Sequence, residues 1–338
     1  MFCLKKLLYS TVFALICIFA VNIFAYGDGF KITTYAGEAW PHDMISYELT
    51  SHRAEGLEIS GRVPVLTPAA GQVGERVENL IEQAISSKIA SARESRARSL
   101  SFDFEVYFSS PHISIILKST TTGASAKTEV TSINFDINSG EKLSAADLVG
   151  EHIVQLADQL LVEMVRRNPE RYNPSFSGMR RDQAFSVTNR EIVFWFNEFQ
   201  LTTGSDGIVP LRLNRASIHE ARLRPDQYHT RIGFNLKMIP VGTVLRQLNY
   251  TVTANSDVSR VNISYDGEHI IELKVGINNY VRGNRFVRSL ETAPVHVGSF
   301  VYVPISFFDQ ILDFVAFGVD NSGNITFASY AITDAWFR

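Results

Sequence analysis

The sequence has 338 residues, and its 32 lysines and arginines nearly balance 35 aspartates and glutamates, which gives a formal net charge of −3 at pH 7. Without a basic excess or a long basic run, this composition argues against nucleic-acid binding. Both cysteines, Cys3 and Cys17, lie near the amino terminus. The sequence after them therefore has no disulfide, no thiol nucleophile and no thiolate metal site.

The amino-terminal segment has the pattern of a bacterial export signal. Lys5 and Lys6 precede an apolar run over residues 7–25, and a polar, glycine-containing break follows. Ala25 supplies a small residue at the position where signal peptidase cleaves. Because about 20 apolar residues can span a bilayer, an uncleaved membrane anchor is the alternative. We therefore expect a secreted or extracytoplasmic protein, tethered through its amino-terminal segment if that segment is not removed.

Residues 26–224 are predicted to form a strand-rich first domain. Alternation of apolar and polar residues, the mark of half-buried strands, is found at residues 45–50, 57–65, 101–108, 113–117, 128–137, 185–187, 191–199 and 208–213. Apolar residues at three- and four-residue steps predict helices over residues 72–95 and 151–167. Ser144, with Asp147 three residues later, predicts a capped helix start. A short helix is also expected near residues 215–221.

A polar stretch with a proline at residues 222–227 predicts a domain boundary, followed by a second domain over residues 228–332. In this domain, residues 238–252 and 302–316 share the order apolar residue, proline, short helix and strand, and each is followed by a hairpin turn. Pro240 and Pro304 stand where a helix would begin, the position at which proline costs least.

The predicted fold class is α+β in two domains. The first is an antiparallel sheet packed with helices. The second is a small α+β domain with an internal helix-plus-hairpin repeat.

No residue set has the spacing of a known catalytic or metal centre. The motifs of P-loops, serine hydrolase elbows and zinc proteases are absent. No two of the eight histidines are two or four positions apart, the spacings that would aim two imidazoles at one metal. Asp103 and Glu105 share one face of a predicted strand, where a glycosidase-type hydrolase could use a carboxylate pair, but the wet face of an ordinary strand looks the same. We therefore assign no catalytic residue, no metal ligand and no cofactor.

Aromatic residues are concentrated at positions 194–199, which include Phe194, Trp195, Phe196 and Phe199. On a strand, Trp195 faces the side opposite to its two phenylalanine neighbours. Most of these rings are expected in the core. The alternative is that the ring of Trp195 lies on an exposed face and binds a ligand, as aromatic residues do in many interfaces.

Residues 45–220 carry a first family resemblance. The segments TSINFDINSGEKLSAADL (residues 131–148), FSVTNREIVFWF (185–196) and GIVP (207–210) are similar to the extracytoplasmic domain of lysozyme-sensing bacterial anti-sigma factors. Similar domains precede some peptidoglycan deacetylases. The resemblance implies an antiparallel sheet packed with helices, and binding at the cell envelope without catalysis.

The sequence departs from this family in three ways. Residues 123–126 lack the histidine that many members carry there, which puts any role of that histidine in doubt. Only residues 1–6 could lie on the inner side of the membrane, so no sigma factor is expected as a partner. No deacetylase catalytic domain follows.

Residues 230–330 carry the second resemblance, to the small amino-terminal-type domain of copper amine oxidases. The residues that carry it are the paired Ile239-Pro240 and Val303-Pro304 steps with their hairpins. The resemblance covers that accessory module alone, without the domain that holds copper and quinone. It therefore implies neither oxidase activity nor bound copper.

We predict an exported, non-enzymatic protein that binds a lysozyme-like protein or peptidoglycan at the cell envelope. The second domain would act as a spacer or as a contact with the cell wall. The alternative from another class is a cell-wall hydrolase that uses dispersed carboxylates or histidines. A third possibility is an inhibitor or decoy for lysozyme-like enzymes.

Overall fold

The structure is a computed structural model that describes residues 31–33, 44–67, 70–203, 207–231, 236–282, 285–312 and 314–330. The predicted export segment and its cleavage position at Ala25 lie outside these residues. Within them the chain is strand-rich with few helices and forms two α+β units, as the sequence predicts.

The first sheet contains the strands β1 (Lys31–Thr33), β2 (Ile45–Ala54), β3 (Leu57–Leu66), β4 (Ser99–Ser109), β5 (His112–Thr122) and β6 (Ala126–Asp136). The order of its main path is β2-β3-β4-β5-β6, and β1 lies beside β4. All pairs are antiparallel except β3 with β4 and β1 with β4. The sheet is therefore mostly antiparallel.

Helix α1 (Gly71–Glu94) connects the parallel strands β3 and β4. Its apolar stripe, which includes Val77 and Ile81, packs against alternate residues of β4 such as Phe102 and Phe104 in one buried cluster. The three- and four-residue spacing in the sequence therefore predicts this helix to within one residue at each end.

The next elements form a second, three-stranded sheet with two helices: α2 (Ala145–Val149), α3 (Glu151–Arg167), β7 (Ala184–Val187), β8 (Glu191–Phe196) and β9 (Val209–Asn214). The predicted cap of α2 is present, because the Ser144 hydroxyl accepts from the Asp147 amide at 3.2 Å and the Asp147 carboxylate accepts from the Ser144 amide at 2.8 Å. Gly150, with a φ of +85°, separates α2 from α3.

The second sheet lies between the first sheet and α3. Phe194 and Phe196 on β8 face the cluster that contains α3, whereas Val193 and Trp195 face Tyr107 of β4. The amides of Phe185 and Val187 on β7 donate to serine hydroxyls of β6 and β5, at 3.2 and 3.3 Å. The first unit therefore has four layers: α1, the first sheet, the second sheet and α3.

The remaining strands form three small sheets. Their elements are β10 (Ile218–Leu223), β11 (His229–Arg231), β12 (Leu236–Pro240), α4 (Val241–Gln247), β13 (Tyr250–Ala254), β14 (Arg260–Tyr265), β15 (Glu268–Lys274), β16 (Asn279–Arg282), β17 (Arg285–Ser289), β18 (Val295–Val297), β19 (Phe300–Pro304), α5 (Phe307–Gln310), β20 (Val315–Val319) and β21 (Ile325–Tyr330). The sheet orders are β10-β21-β20, β11-β12-β19-β18 and β13-β14-β15-β16-β17. One buried cluster joins residues from all three sheets.

The short helix predicted near residues 215–221 is wrong. Only residues 215–217 form a single 3-10 turn, in which the Asn214 side chain accepts from the Ala216 amide at 3.0 Å. Strand β10 follows at once and pairs along its whole length with β21. This strand begins before the predicted boundary at residues 222–227 and runs into it, yet it pairs with a strand of the second unit.

Two segments of the second unit have the same order of elements. One runs β12-α4-β13-β14 and the other β19-α5-β20-β21, and β12 pairs with β19 so that Ile239 lies opposite Val303. Pro240 directly precedes α4, whereas Pro304 ends β19 and α5 begins only at Phe307.

Helix α3 also contacts the second unit. The Gln159 side chain on α3 donates to the carbonyl of Val315 on β20 at 3.2 Å. Nearby, His152 Nε2 lies 3.1 Å from Glu220 Oε1 on β10. Ala316 and Ala328 of the last two strands are buried in the same cluster as α3. The two units are thus packed together, in part through this helix.

Candidate functional site

The predicted carboxylate pair lies on the face of β4 that points away from α1, and each member has its own cation. Asp103 Oδ1 accepts from Arg62 Nη2 at 2.6 Å, and Glu105 Oε1 accepts from Lys118 Nζ at 2.7 Å. The Tyr107 hydroxyl donates to the other oxygen of Glu105 at 2.5 Å. Both carboxylates are thus charge-paired, and this arrangement is that of structural ion pairs on a sheet.

Tyr107 contributes to the burial of this region. Its side chain is only 2% exposed. Burial raises the pKa of the Tyr107 hydroxyl well above its ordinary value, and the hydrogen bond and charge of Glu105 raise it further. The hydroxyl therefore stays neutral and donates to Glu105.

Trp195 lies in the core, as expected for most of the aromatic residues in this segment, and the alternative of an exposed ligand-binding ring is excluded. The side chain is 6% exposed and lies between the two sheets, with its ring centroid 6.1 Å from that of Tyr107. Its indole Nε1 donates to the Ser186 hydroxyl at 3.1 Å. Lys118 and Arg212 each place a cation 5.9 Å from the ring centroid. The ring is buried because the face of β8 that carries it packs on the first sheet.

The described histidines are dispersed. His152 pairs with Glu220 between the two units, and the ring of His229 packs at a tilt against that of Tyr302 with a centroid distance of 4.7 Å. Within the described ranges, no group of three or more histidine, cysteine, aspartate or glutamate residues has the geometry to hold a metal ion. In the same ranges, no helix has both the length and the apolar composition needed to cross a membrane.

A groove lies on the α1 face of the first sheet, between the last turns of α1 and the hairpin that joins β5 to β6. We call it the hydroxyl groove. Its lining consists of Lys88, Ser91, Ser95, Ala97, Leu100, Ser119, Thr121, Thr122, Gly123, Ala124, Ser125, Lys127 and Glu129. Six of these residues carry a hydroxyl group, and the only large apolar residue among them, Leu100, is fully buried.

Three charged side chains line the hydroxyl groove. Lys88 Nζ on α1 donates to Glu129 Oε2 at 2.9 Å, and Lys127 Nζ lies 2.6 Å from Glu129 Oε1. Burial alone would raise the pKa of Glu129, but hydrogen bonds from Lys127 and Lys88 lower it below its ordinary value. Two ammonium groups thus share one carboxylate, and this cluster carries one surplus positive charge.

The hydroxyls of the hydroxyl groove are partly fixed by the backbone. Ser95 donates to the carbonyl of Ala92 at 3.0 Å, and Thr121 donates to the carbonyl of Lys127 at 3.3 Å. The hydroxyl of Thr122 bonds that of Ser99 on the neighbouring strand. Each of these oxygens retains acceptor capacity toward a ligand.

The hydroxyl groove is not among the features predicted from the sequence. The available signal was the Ser-Thr-Thr-Thr run at residues 119–122, followed across the hairpin by Lys127 and Glu129. The decisive neighbour, Lys88, is 41 residues from Glu129 in the chain, so no local pattern joins them. The stretch at residues 123–126 that departs from the anti-sigma family pattern forms the tip of this hairpin.

Comparisons with known proteins add a family for part of the chain. Residues 230–326 match a family model described as the copper amine oxidase N-terminal domain, as predicted. No match is found among curated proteins.

Two solved structures are similar to part of the chain. A DUF3298 family protein from Pseudomonas aeruginosa is 14% identical, with a TM-score of 0.39 over 51% of this chain and 90% of that chain. A DUF3298 member from Bacteroides fragilis is also 14% identical, with a TM-score of 0.31 over the same shares.

Proposed function

We propose that the chain is an exported, non-enzymatic protein that binds at the cell envelope, with peptidoglycan or a lysozyme-like protein as its ligand. The observation that carries this proposal is the hydroxyl groove, because it combines hydrogen-bonding groups and a surplus cation at an open surface. Such a groove can hold a polar ligand through several directed hydrogen bonds.

The state of the predicted carboxylates supports binding rather than hydrolysis. A glycosidase needs one carboxylic acid that keeps its proton and a second carboxylate at a set distance. Asp103 and Glu105 instead hold Arg62 and Lys118 in close ion pairs. Both carboxylates are thus engaged by cations of the same sheet, which favours a structural role for the pair.

The two units would have separate roles. We assign residues 45–220 to an envelope-binding domain like that of lysozyme-sensing anti-sigma factors, without a sigma factor as partner. Residues 230–326 would form a spacer or a contact with the cell wall. The common order of β12-α4-β13-β14 and β19-α5-β20-β21 favours an internal repeat in this second unit. The export segment would deliver both units outside the cytoplasm, cleaved after Ala25 or left as an anchor.

The proposal is tested by co-sedimentation of the purified full chain with peptidoglycan sacculi, and by affinity capture with immobilised lysozyme. We expect saturable binding to at least one of them. Binding to neither would remove the proposed function. Release of reducing ends or acetate from the sacculi would show that the protein is an enzyme.

A further inference from the structure

We propose that the hydroxyl groove binds an amino-sugar oligosaccharide that carries a free carboxylate, such as the lactyl carboxylate of peptidoglycan strands from which the stem peptides have been removed. This inference rests on the proposed function, because it names the class of envelope ligand and the place where it binds.

The hydrogen-bonding groups match a saccharide. A sugar ring presents closely spaced hydroxyls that both donate and accept, so its site needs both kinds of partner within a few ångströms. Ser95 and Thr121 point their hydrogens at backbone carbonyls and leave oxygen lone pairs available. Ser91 and Ser125 add two further hydroxyls to the lining. The lysines add donors and Glu129 adds acceptors.

The charge selects an acidic sugar. Glu129 holds two ammonium groups, Lys88 at 2.9 Å and Lys127 at 2.6 Å. The Lys88 side chain is 19% exposed, whereas that of Lys127 is 54% exposed. Lys127 can therefore turn toward a bound carboxylate while Lys88 keeps Glu129 neutralised. Lys127 would then exchange its ion pair with Glu129 for a charge-assisted hydrogen bond to the ligand carboxylate.

The lining disfavours a protein segment as the occupant. Binding sites for proteins depend on a few buried aromatic, arginine or large apolar anchors and on the pockets that receive them. The hydroxyl groove has no aromatic residue in its lining, and Leu100 beneath it is fully buried. A small polar ligand uses such a lining better than an apolar side chain does.

The test compares two matched disaccharides by titration calorimetry with the full chain. The first is the N-acetylglucosamine–N-acetylmuramic acid disaccharide, and the second is di-N-acetylglucosamine, which lacks the carboxylate. We expect the acidic disaccharide to bind about fivefold to tenfold more tightly at low salt, a difference that shrinks as ions screen the lysines. Equal affinities would overturn the assignment of an acidic sugar.

Substitutions of the three charged residues Lys88, Lys127 and Glu129 should shift the affinity for the acidic disaccharide in two opposite directions. Lys88→Met and Lys127→Met each remove a cation and should weaken binding of the acidic disaccharide by about threefold to tenfold. Glu129→Gln releases both lysines from their shared anion and should strengthen it by a similar factor. Each of the three should change binding of the neutral disaccharide by a smaller factor than it changes binding of the acidic one. The matched control is Lys274→Met on β15, which lies in the other unit and should change nothing.

A fourth variant guards against loss of folding. Ser91→Leu places a larger side chain on an exposed turn of α1, keeps the three charges and should abolish binding of both disaccharides with an unchanged thermal midpoint. If sacculi stripped of their stem peptides bind but no groove variant alters that binding, the groove assignment is wrong and the proposed function stands. Tighter binding of an oligoglutamate peptide than of the acidic disaccharide would also overturn the saccharide assignment.

Discussion

Two carboxylate–lysine clusters lie on opposite faces of the first sheet. On the face covered by the second sheet, Glu105 pairs with Lys118 beside Tyr107 and Trp195. On the α1 face, Glu129 in the hydroxyl groove is shared by two lysines. Both clusters lie within a few residues of each other on β5 and the strands that pair with it. Side chains alternate between the two faces along these strands, so the clusters point in opposite directions.

The two clusters differ in how far they are closed off from solvent. The Glu105 cluster has one anion for one lysine, a tyrosine hydroxyl on the second oxygen and an indole ring above the ammonium group. Burial makes each of these contacts stronger and makes the loss of any one costly. The Glu129 cluster has a surplus cation and opens to solvent along the groove. We infer that the first stabilises the sheet packing and that the second is available to a ligand.

The largest expected effect is that of Trp195→Ala. This change removes the ring that fills the space between the two sheets, and it should lower the free energy of unfolding by about 3–5 kcal/mol. Urea denaturation followed by circular dichroism measures the change. Trp195→Phe keeps most of the apolar volume but leaves Ser186 without the indole donor, so it should cost less. A loss below about 1 kcal/mol for alanine would contradict the burial of this ring.

A smaller loss is expected for Glu105→Gln. Glutamine keeps the shape and can still accept from Tyr107, but Lys118 then lacks its charged partner in a partly buried site. The free energy of unfolding should fall by about 1–2 kcal/mol. The control is Glu129→Gln, which should cost less because the Glu129 side chain is 26% exposed whereas that of Glu105 is 13% exposed. If the two substitutions lower the free energy of unfolding by the same amount, the clusters do not differ in how far they are closed off from solvent.

The two clusters should also differ in the direction of their pH dependence. The pKa of Glu129 is lowered from an ordinary value of 4.5, so its contribution is present above that value and is lost as the pH falls through the lower folded pKa. The pKa of Tyr107 is raised from 10.0, so its contribution is complete below pH 10.0 and is lost as the pH rises beyond it. Unfolding measured across pH should show an acid-side loss that Glu129→Gln reduces and an alkaline loss that Tyr107→Phe reduces.

Much of the fold follows from local sequence patterns. The spacing of apolar residues predicts α1, and Ser144 with Asp147 predicts the capped start of α2. The Asp266-Gly267 pair, both with positive φ, forms the predicted turn between β14 and β15. These features depend on residues close together in the chain, where side-chain chemistry and backbone preference act on the same few positions.

The errors and omissions concern contacts between distant segments. Alternation correctly places Trp195 opposite Phe194 and Phe196, but it cannot tell whether that face meets water or a second sheet. The helix expected near residues 215–221 becomes strand β10 because its backbone pairs with β21, more than 100 residues later. The hydroxyl groove likewise requires α1 and the β5–β6 hairpin to meet.

The smallest expected effect on stability is that of Lys127→Met. The Lys127 side chain is 54% exposed, and ion pairs in contact with water contribute about 0–1 kcal/mol. Lys88 still holds Glu129 in this variant, so the free energy of unfolding should change by less than about 0.5 kcal/mol. Denaturation and ligand titration on the same preparation measure both properties. A stability loss as large as that of Glu105→Gln would show that the groove cluster supports the fold. Unchanged stability together with weakened binding would show that a lysine can be removed from the ligand site without disturbing the sheet beneath it.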